Sequence, residues 1–263
     1  MSPLVSRLVV GAVLLPLVFG VVWLGGWWVF GLAVVAGLLA LHELYTIARA
    51  LHPVVLGGYV GLVLTLLGAQ LGGSEWVLAG ILATLPAAIL VFFVSSARQS
   101  AVAAFAVTLL GVAWVGGGLA HMMLLRDIPA DGRLLIFTTL LTVFADDTAA
   151  FFVGRAIGRH RLAPAISPGK SWEGFVGGTL AAVAVTFFAL YEQDVISTAE
   201  SLILGLVIAL AATLGDLFES AVKRDLGVKD SGRLLAGHGG VLDRVDSLLW
   251  AAPAAYVALL AMA

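Results

Sequence analysis

Apolar runs of roughly twenty residues follow one another along nearly the whole chain, and they limit its possible folds more than any other feature. Nine can be placed, at 7–24, 27–49, 54–73, 76–94, 101–120, 132–153, 172–191, 198–220 and 243–262. A helix needs ~20 apolar residues to cross a bilayer. With 61% hydrophobic and 11% charged residues, the chain is far oilier than a soluble domain, in which about a quarter of residues carry charge. Lipid can solvate that surface, provided each spanning segment satisfies its own backbone polar groups, as a helix does. The expected fold is therefore all-α: a polytopic membrane protein with about nine transmembrane helices. The opening stretch, "MSPLVSRLVVGAVLLPLVFGVVWLGG", has too long an apolar run for a signal peptide, lacks an A-x-A cleavage site and is followed by more spans. It is read as the first membrane helix. The chain contains no cysteine, which excludes a disulfide framework and a thiolate site.

The basic residues orient the spans. With the N-terminus in the cytoplasm, Arg7, Arg49, Arg98, Arg155, Arg159, Arg161, Lys170, Lys223, Arg224, Lys229, Arg233 and Arg244 fall inside, and only Arg126 and Arg133 fall outside. Twelve against two is a strong positive-inside bias. It puts the two charged loops, after the sixth and eighth runs, on the cytoplasmic side. The expected organisation is an N-terminal membrane region over 1–120 (spans one to five) and a C-terminal catalytic region over 121–263 (spans six to nine).

Several acids sit in or against apolar runs. Asp146 and Asp147 lie within "TVFADDTAAFF", Asp216 near the end of "ALAATLGDLFES", and Asp243 and Asp246 at the opening of the last run. A charge at the bilayer centre costs about 3 kcal/mol on insertion scales, so such residues face a wet cavity, a partner or an ion. Asp243 and Asp246 are three apart, which on a helix gives them one face; Asp216 and Glu219 share that spacing, with Ser220 four beyond Asp216. Carboxylates from two helix ends make a hard oxygen-donor site suited to Mg²⁺ or Mn²⁺. Lys223, Arg224, Lys229, Arg233 and Arg244 are interleaved with these acids, as a polyphosphate cradle requires. "GHGG", residues 237–240, allows close backbone approach just before the last span. His238 is an acid-base group, a phosphate donor or a loop residue. In "SPGKSWEG" the "GKS" is not a Walker A motif, because Pro164 stands where its first glycine belongs. The stretch reads as a turn leading into a helix, with Lys170 and Ser171 open to a phosphate and Ser171 equally suited to a helix N-cap.

"SAVKRDLGVKDSGRLLAGHGGVLDRVD", Ser220 to Asp246, closely resembles the signature of the phosphatidate cytidylyltransferases, the CDP-diacylglycerol synthases. It departs only at Ala236, where that family usually has Pro or Gly. "DTAAFFVGRAIGRHRLAPAISPGKSWEG" is similar to a second family stretch, with Ala149, Phe151 and Gly169 in place of Gly, Tyr and Lys. "LGGWW" and "LHELY" are weaker likenesses in the N-terminal half. The resemblance implies a transfer in phospholipid biosynthesis in which CTP and phosphatidic acid give CDP-diacylglycerol and pyrophosphate. It implies that Asp216, Asp243 and Asp246 hold Mg²⁺ (or Mn²⁺), with room for a second cation such as K⁺. Those three and Lys223 are its catalytic residues. Asp147, Thr148, Ser167, Lys170, Ser171, Ser220, Arg224, Lys229, Asp230, His238, Gly239, Gly240 and Arg244 are its substrate-binding candidates. It further implies a homodimer in the bacterial cytoplasmic (inner) membrane with the site facing the cytoplasm; no nucleic-acid partner is expected. The rival from another class is a cation-coupled transporter using the intramembrane carboxylates. That reading calls for midplane acids in two related halves, whereas these acids lie towards one face and no repeat is evident. A CDP-alcohol phosphotransferase would need aspartates four apart, and Asp243 and Asp246 are three apart.

Overall fold

Each of the nine apolar runs is helical. The computed structural model describes residues 3–94, 100–232 and 239–262. The helices are α1 (Pro3–Leu24), α2 (Gly26–Ile47), α3 (Val55–Gly72), α4 (Ser74–Val94), α5 (Ala101–Gly111), α6 (Gly117–Arg126), α7 (Gly132–Ile157), α8 (Trp172–Leu190), α9 (Thr198–Asp225), α10 (Leu242–Val245) and α11 (Leu248–Met262). A π-helical turn, Val112–Gly116, joins α5 to α6, so the fifth run continues to Arg126 rather than ending near 120. Among the described residues, eight segments are long and apolar enough to cross a membrane, and Leu14–Leu24 within α1 is a shorter apolar helix. Leu90, Phe93, Val94 and Phe188 are among the large side chains left exposed on their outer faces, as lipid solvation allows. Arg98, Arg233 and His238 lie outside the described residues.

Two compact units form. The first is Met1–Asp127 with Leu226–Val245; the second is Ile128–Asp225 with Asp246–Ala263. In the first unit, Gly25 turns the chain between α1 and α2 at φ +75°. Its missing Cβ leaves room for the Arg126 guanidinium, which donates to Val22 O at 2.8 Å and Trp23 O at 3.1 Å, carbonyls at the end of α1. This settles the division between the first two runs. α3 and α4 meet almost backbone to backbone: a Cβ on Gly57 would stand 2.6 Å from Ala88 Cα, and one on Gly80 2.5 Å from Thr65 Cα. Small residues at such contacts supply the packing that stands in for a hydrophobic drive in lipid. In the second unit, Thr142 and Thr186 hydroxyls bond at 2.7 Å between α7 and α8. Gly205 brings α9 against α8, where a Cβ would be 2.7 Å from Val183 Cα.

The structure differs from the sequence reading at two places. The segment read as a turn before a helix is a two-stranded antiparallel hairpin, β1 (Arg161–Ala163) with β2 (Ser167–Ser171). The last run, expected as one helix from 243, is interrupted: α10 ends at Val245, and Asp246 and Ser247 form a turn before α11. Asp243 and Asp246 are therefore not one turn apart on an unbroken helix.

Gly80→Val is expected to destabilise the protein by about 2 kcal/mol or more, because backbone cannot yield to the added carbons. Gly31→Ala, placed where nothing lies within 4 Å, is expected to leave stability unchanged. Thermal unfolding in detergent distinguishes the two.

Candidate active site

The second unit gathers its acids around two lysines. Asp146 and Asp147 are carried by α7, Asp216 and Glu219 by α9, and Asp246 by the turn before α11. Lys170 comes from the end of β2, and its Nζ lies 2.6 Å from Asp216 Oδ2, with both side chains about a quarter exposed. The Ser220 hydroxyl donates to Asp216 Oδ1 at 3.3 Å, one helical turn on. Lys223 pairs with Glu219 at 2.5 Å; this pair is nearly closed to solvent, at 12% and 2% exposure. Asp216, Asp147 and Lys223 all act electrostatically on Asp246, and Asp147, Lys170 and Asp216 on Asp146. Asp146 is buried, with Oδ1 lacking a hydrogen-bond partner.

Glycines make this crowding possible. A Cβ on Gly178 of α8 would lie 2.6 Å from Asp146 Oδ1, and one on Gly215 of α9 would lie 2.8 Å from the Asp246 carbonyl oxygen and 2.9 Å from Trp250 Cδ1. The helices that bear the acids thus approach through positions where any larger residue would push them apart.

The hairpin fixes Lys170. Its edge is tied to the start of α8 by Glu173, which accepts the Arg159 and His160 backbone N–H groups at 3.1 and 3.3 Å and meets His160 Nδ1 at 2.7 Å. Ser171 is the N-cap of α8, its hydroxyl oxygen accepting the Gly174 N–H at 3.1 Å. Of the two roles that its sequence allowed, this is the one visible. Arg224, at the end of α9, donates to Ile166 O at 3.3 Å in the hairpin turn. Ser167 opens β2, and Thr148 lies exposed on α7 beside Asp147.

The remaining candidates belong to the first unit. Lys229 and Asp230 are exposed. The Asp243 carboxylate accepts the Gly240 N–H at 2.8 Å and the Ser231 N–H at 3.1 Å, closing the base of the loop. Gly239 turns at φ +84°, where any side chain is strained. Arg244 is exposed on α10. Glu43 of α2 reaches the same segment and accepts the Leu242 N–H at 2.9 Å. The sequence placed Glu43 near a helix end but assigned it no task; its partner lies 199 residues away, and no local pattern shows that.

Among the described residues, no three His, Cys, Asp or Glu side chains stand together so as to hold a metal ion. The donor set of the second unit nonetheless suits a hard divalent cation. It is built from carboxylates and a hydroxyl, and Asp216 already draws an ammonium group to 2.6 Å.

A model described as the cytidylyltransferase family matches residues 5–262. The phosphatidate cytidylyltransferase of Staphylococcus haemolyticus is 34% identical over 243 residues, 91% of this chain and 92% of that protein. That of Haemophilus influenzae is 45% identical over 130 residues, 48% of this chain and 45% of the relative. That of Bacillus subtilis is 40% identical over 151 residues, 57% and 56% of the two chains. The last two matches thus span about half the length of each relative.

Ser171→Ala removes the α8 cap and is expected to lower stability by about 1 kcal/mol. Thermal unfolding in detergent reads the loss directly.

Proposed function

The chain belongs to the cytidylyltransferase family, and from that premise we propose that it is a phosphatidate cytidylyltransferase acting in phospholipid biosynthesis. An oxygen of the phosphatidic acid phosphate attacks the α-phosphorus of CTP. The bond from that phosphorus to the bridging oxygen breaks, pyrophosphate leaves with the electron pair, and CDP-diacylglycerol remains. The observation that carries the reading is the joining of Asp147, Asp216 and Asp246 with Lys170 and Lys223 in one membrane-embedded unit of a chain that matches the family along nearly its whole length.

Asp216 and Asp246 are the proposed holders of Mg²⁺ or Mn²⁺, with Asp243 joining them on the strength of the sequence motif alone; a second cation, such as K⁺, is part of the same proposal. When bound, the divalent ion supplies positive charge to the triphosphate and to the leaving pyrophosphate. Ser220 orients Asp216 through its hydrogen bond. Lys170 sits at the tip of a strand anchored on both sides, so its ammonium is presented at a defined position to a phosphate oxygen. Arg224 and Lys229 offer further cations, with Asp147, Thr148, Ser167, Asp230, His238, Gly239, Gly240 and Arg244 proposed to line the nucleotide or the lipid phosphate. The attacking phosphate is anionic already, so no side chain has to remove a proton from it. The proposed setting is the bacterial cytoplasmic membrane, with the site facing the cytoplasm, where CTP is found, and the chain paired as a homodimer.

Purified protein in detergent with labelled CTP, phosphatidic acid and Mg²⁺ is expected to yield a lipid-soluble cytidine product. Folded protein that forms none under any of several divalent and monovalent cations would overturn the reading. Asp216→Asn and Asp246→Asn are each expected to reduce turnover at least a hundredfold while the melting temperature is retained, and Asp243→Asn is expected to do the same. Near-normal turnover of these variants across a Mg²⁺ titration would remove the metal assignment.

A further inference from the structure

Two carboxylates grip the charged segment of the first unit. Asp243 holds the backbone N–H groups of Ser231 and Gly240. The other is Glu43, which comes from a membrane helix and is only 3% exposed. Its Oε2 accepts the Leu242 N–H at 2.9 Å and the Ser231 hydroxyl at 3.3 Å. Its Oε1 is buried with no hydrogen-bond partner. Gly232 and Gly240 are shaped around it: a Cβ on Gly232 would stand 2.5 Å from Oε1, and one on Gly240 would run into Oε2 and the Ser231 hydroxyl. The second glycine of "HGG" is thus required, at least in part, to seat a glutamate from the opposite end of the sequence.

A carboxylate enclosed in an apolar helix bundle carries a large desolvation penalty. Anchoring a loop alone could be done by neutral groups at less expense. Here the bonds fall on Ser231, whose N–H Asp243 accepts, and on Leu242, which starts α10 and precedes Asp243, so they set the spacing between Ser231 and Leu242. We infer that Glu43 is a positioning residue of the active segment: it fixes the backbone from which Asp243 is presented, and it touches neither nucleotide nor lipid. The inference rests on the cytidylyltransferase reading for its effect on turnover, but its effect on the loop stands apart from that reading.

The test uses the full-length protein in detergent, with Glu43→Ala, Glu43→Asp and Glu43→Gln compared against Leu62→Ala. Leu62 is fully buried in the same unit, so Leu62→Ala reports what loss of core packing alone does. Glu43→Ala is expected to lower kcat at least tenfold with KM for CTP changed less, and to speed amide exchange at Leu242. Glu43→Asp, too short to reach, is expected to behave likewise and replaces Glu43→Ala if that variant does not fold. Glu43→Gln keeps an acceptor for Leu242 and is expected to recover part of the rate. Leu62→Ala is expected to lose stability while holding kcat within twofold. Folded Glu43→Ala or Glu43→Asp with kcat within twofold of the parent, or with Leu242 exchange unchanged, would overturn the inference. A parent protein that makes no cytidine lipid at all would instead count against the cytidylyltransferase reading, and the exchange measurement would still decide the role of Glu43.

Discussion

A carboxylate inside an apolar bundle is costly unless it is answered, and in this protein Asp216 and Glu43 are answered from outside their own helices. Asp216 takes an ammonium from the hairpin, Glu219 takes one from the next turn of its own helix, and Glu43 takes a backbone N–H and a hydroxyl from the segment before α10. Of the two ion pairs only Glu219–Lys223 is nearly closed to solvent; breaking such a buried pair by removing one partner costs about 3–5 kcal/mol, because the other charge is left stranded. The contacts of Asp216 and Glu43, by contrast, dock the hairpin and the segment around Leu242 onto the helices that carry those acids. The loops are no ornament on a finished bundle; they are what makes acidic helix positions tolerable.

The packing serves the same end. Gly178 and Gly215 let α8 and α9 come close enough for Asp146 and the Asp246 backbone to sit against them. A lipid-facing helix gains nothing from glycine, which weakens it, so the compensating gain lies in the close approach. In the first unit the glycines at 57 and 80 draw α3 and α4 together, while those at 232 and 240 are cut to fit one glutamate. One residue type serves helix packing in the first case and the seating of a side chain in the second.

Much of this was legible in the sequence because lipid imposes a simple rule: long apolar runs become helices, and charges collect where the runs end. The acids were visible in the sequence as charges in or against apolar runs, but which of them stand near one another was not. The hairpin was not legible. Its strands are three and five residues long and include Pro168 and Gly169, so no alternation marks them; what holds them is Glu173, from the following helix. The break at Asp246 and Ser247 also had no signal, since neither proline nor glycine stands there. Glu43 was visible only as an acid in an apolar run, and its meaning depends on contacts across almost the whole chain. Ser171 carried two local readings that no spacing could separate, and the hydrogen bond to Gly174 shows the N-cap role.

The charge balance of the second unit bears on how such a site would take a polyphosphate. Asp146, Asp147, Asp216, Glu219 and Asp246 face Lys170, Lys223 and Arg224. Lys223 is committed to Glu219, Lys170 to Asp216, and Arg224 donates to a carbonyl. An incoming triphosphate would add negative charge to a cluster already short of positive charge, in surroundings where charges act strongly on one another. The deficit is what a divalent cation would correct, and Lys170 is the group most affected by it. Relieved of Asp216, its ammonium would be released towards a phosphate from a position that the hairpin already holds. The hairpin and the Asp216 carboxylate together hold the Lys170 ammonium at one defined position.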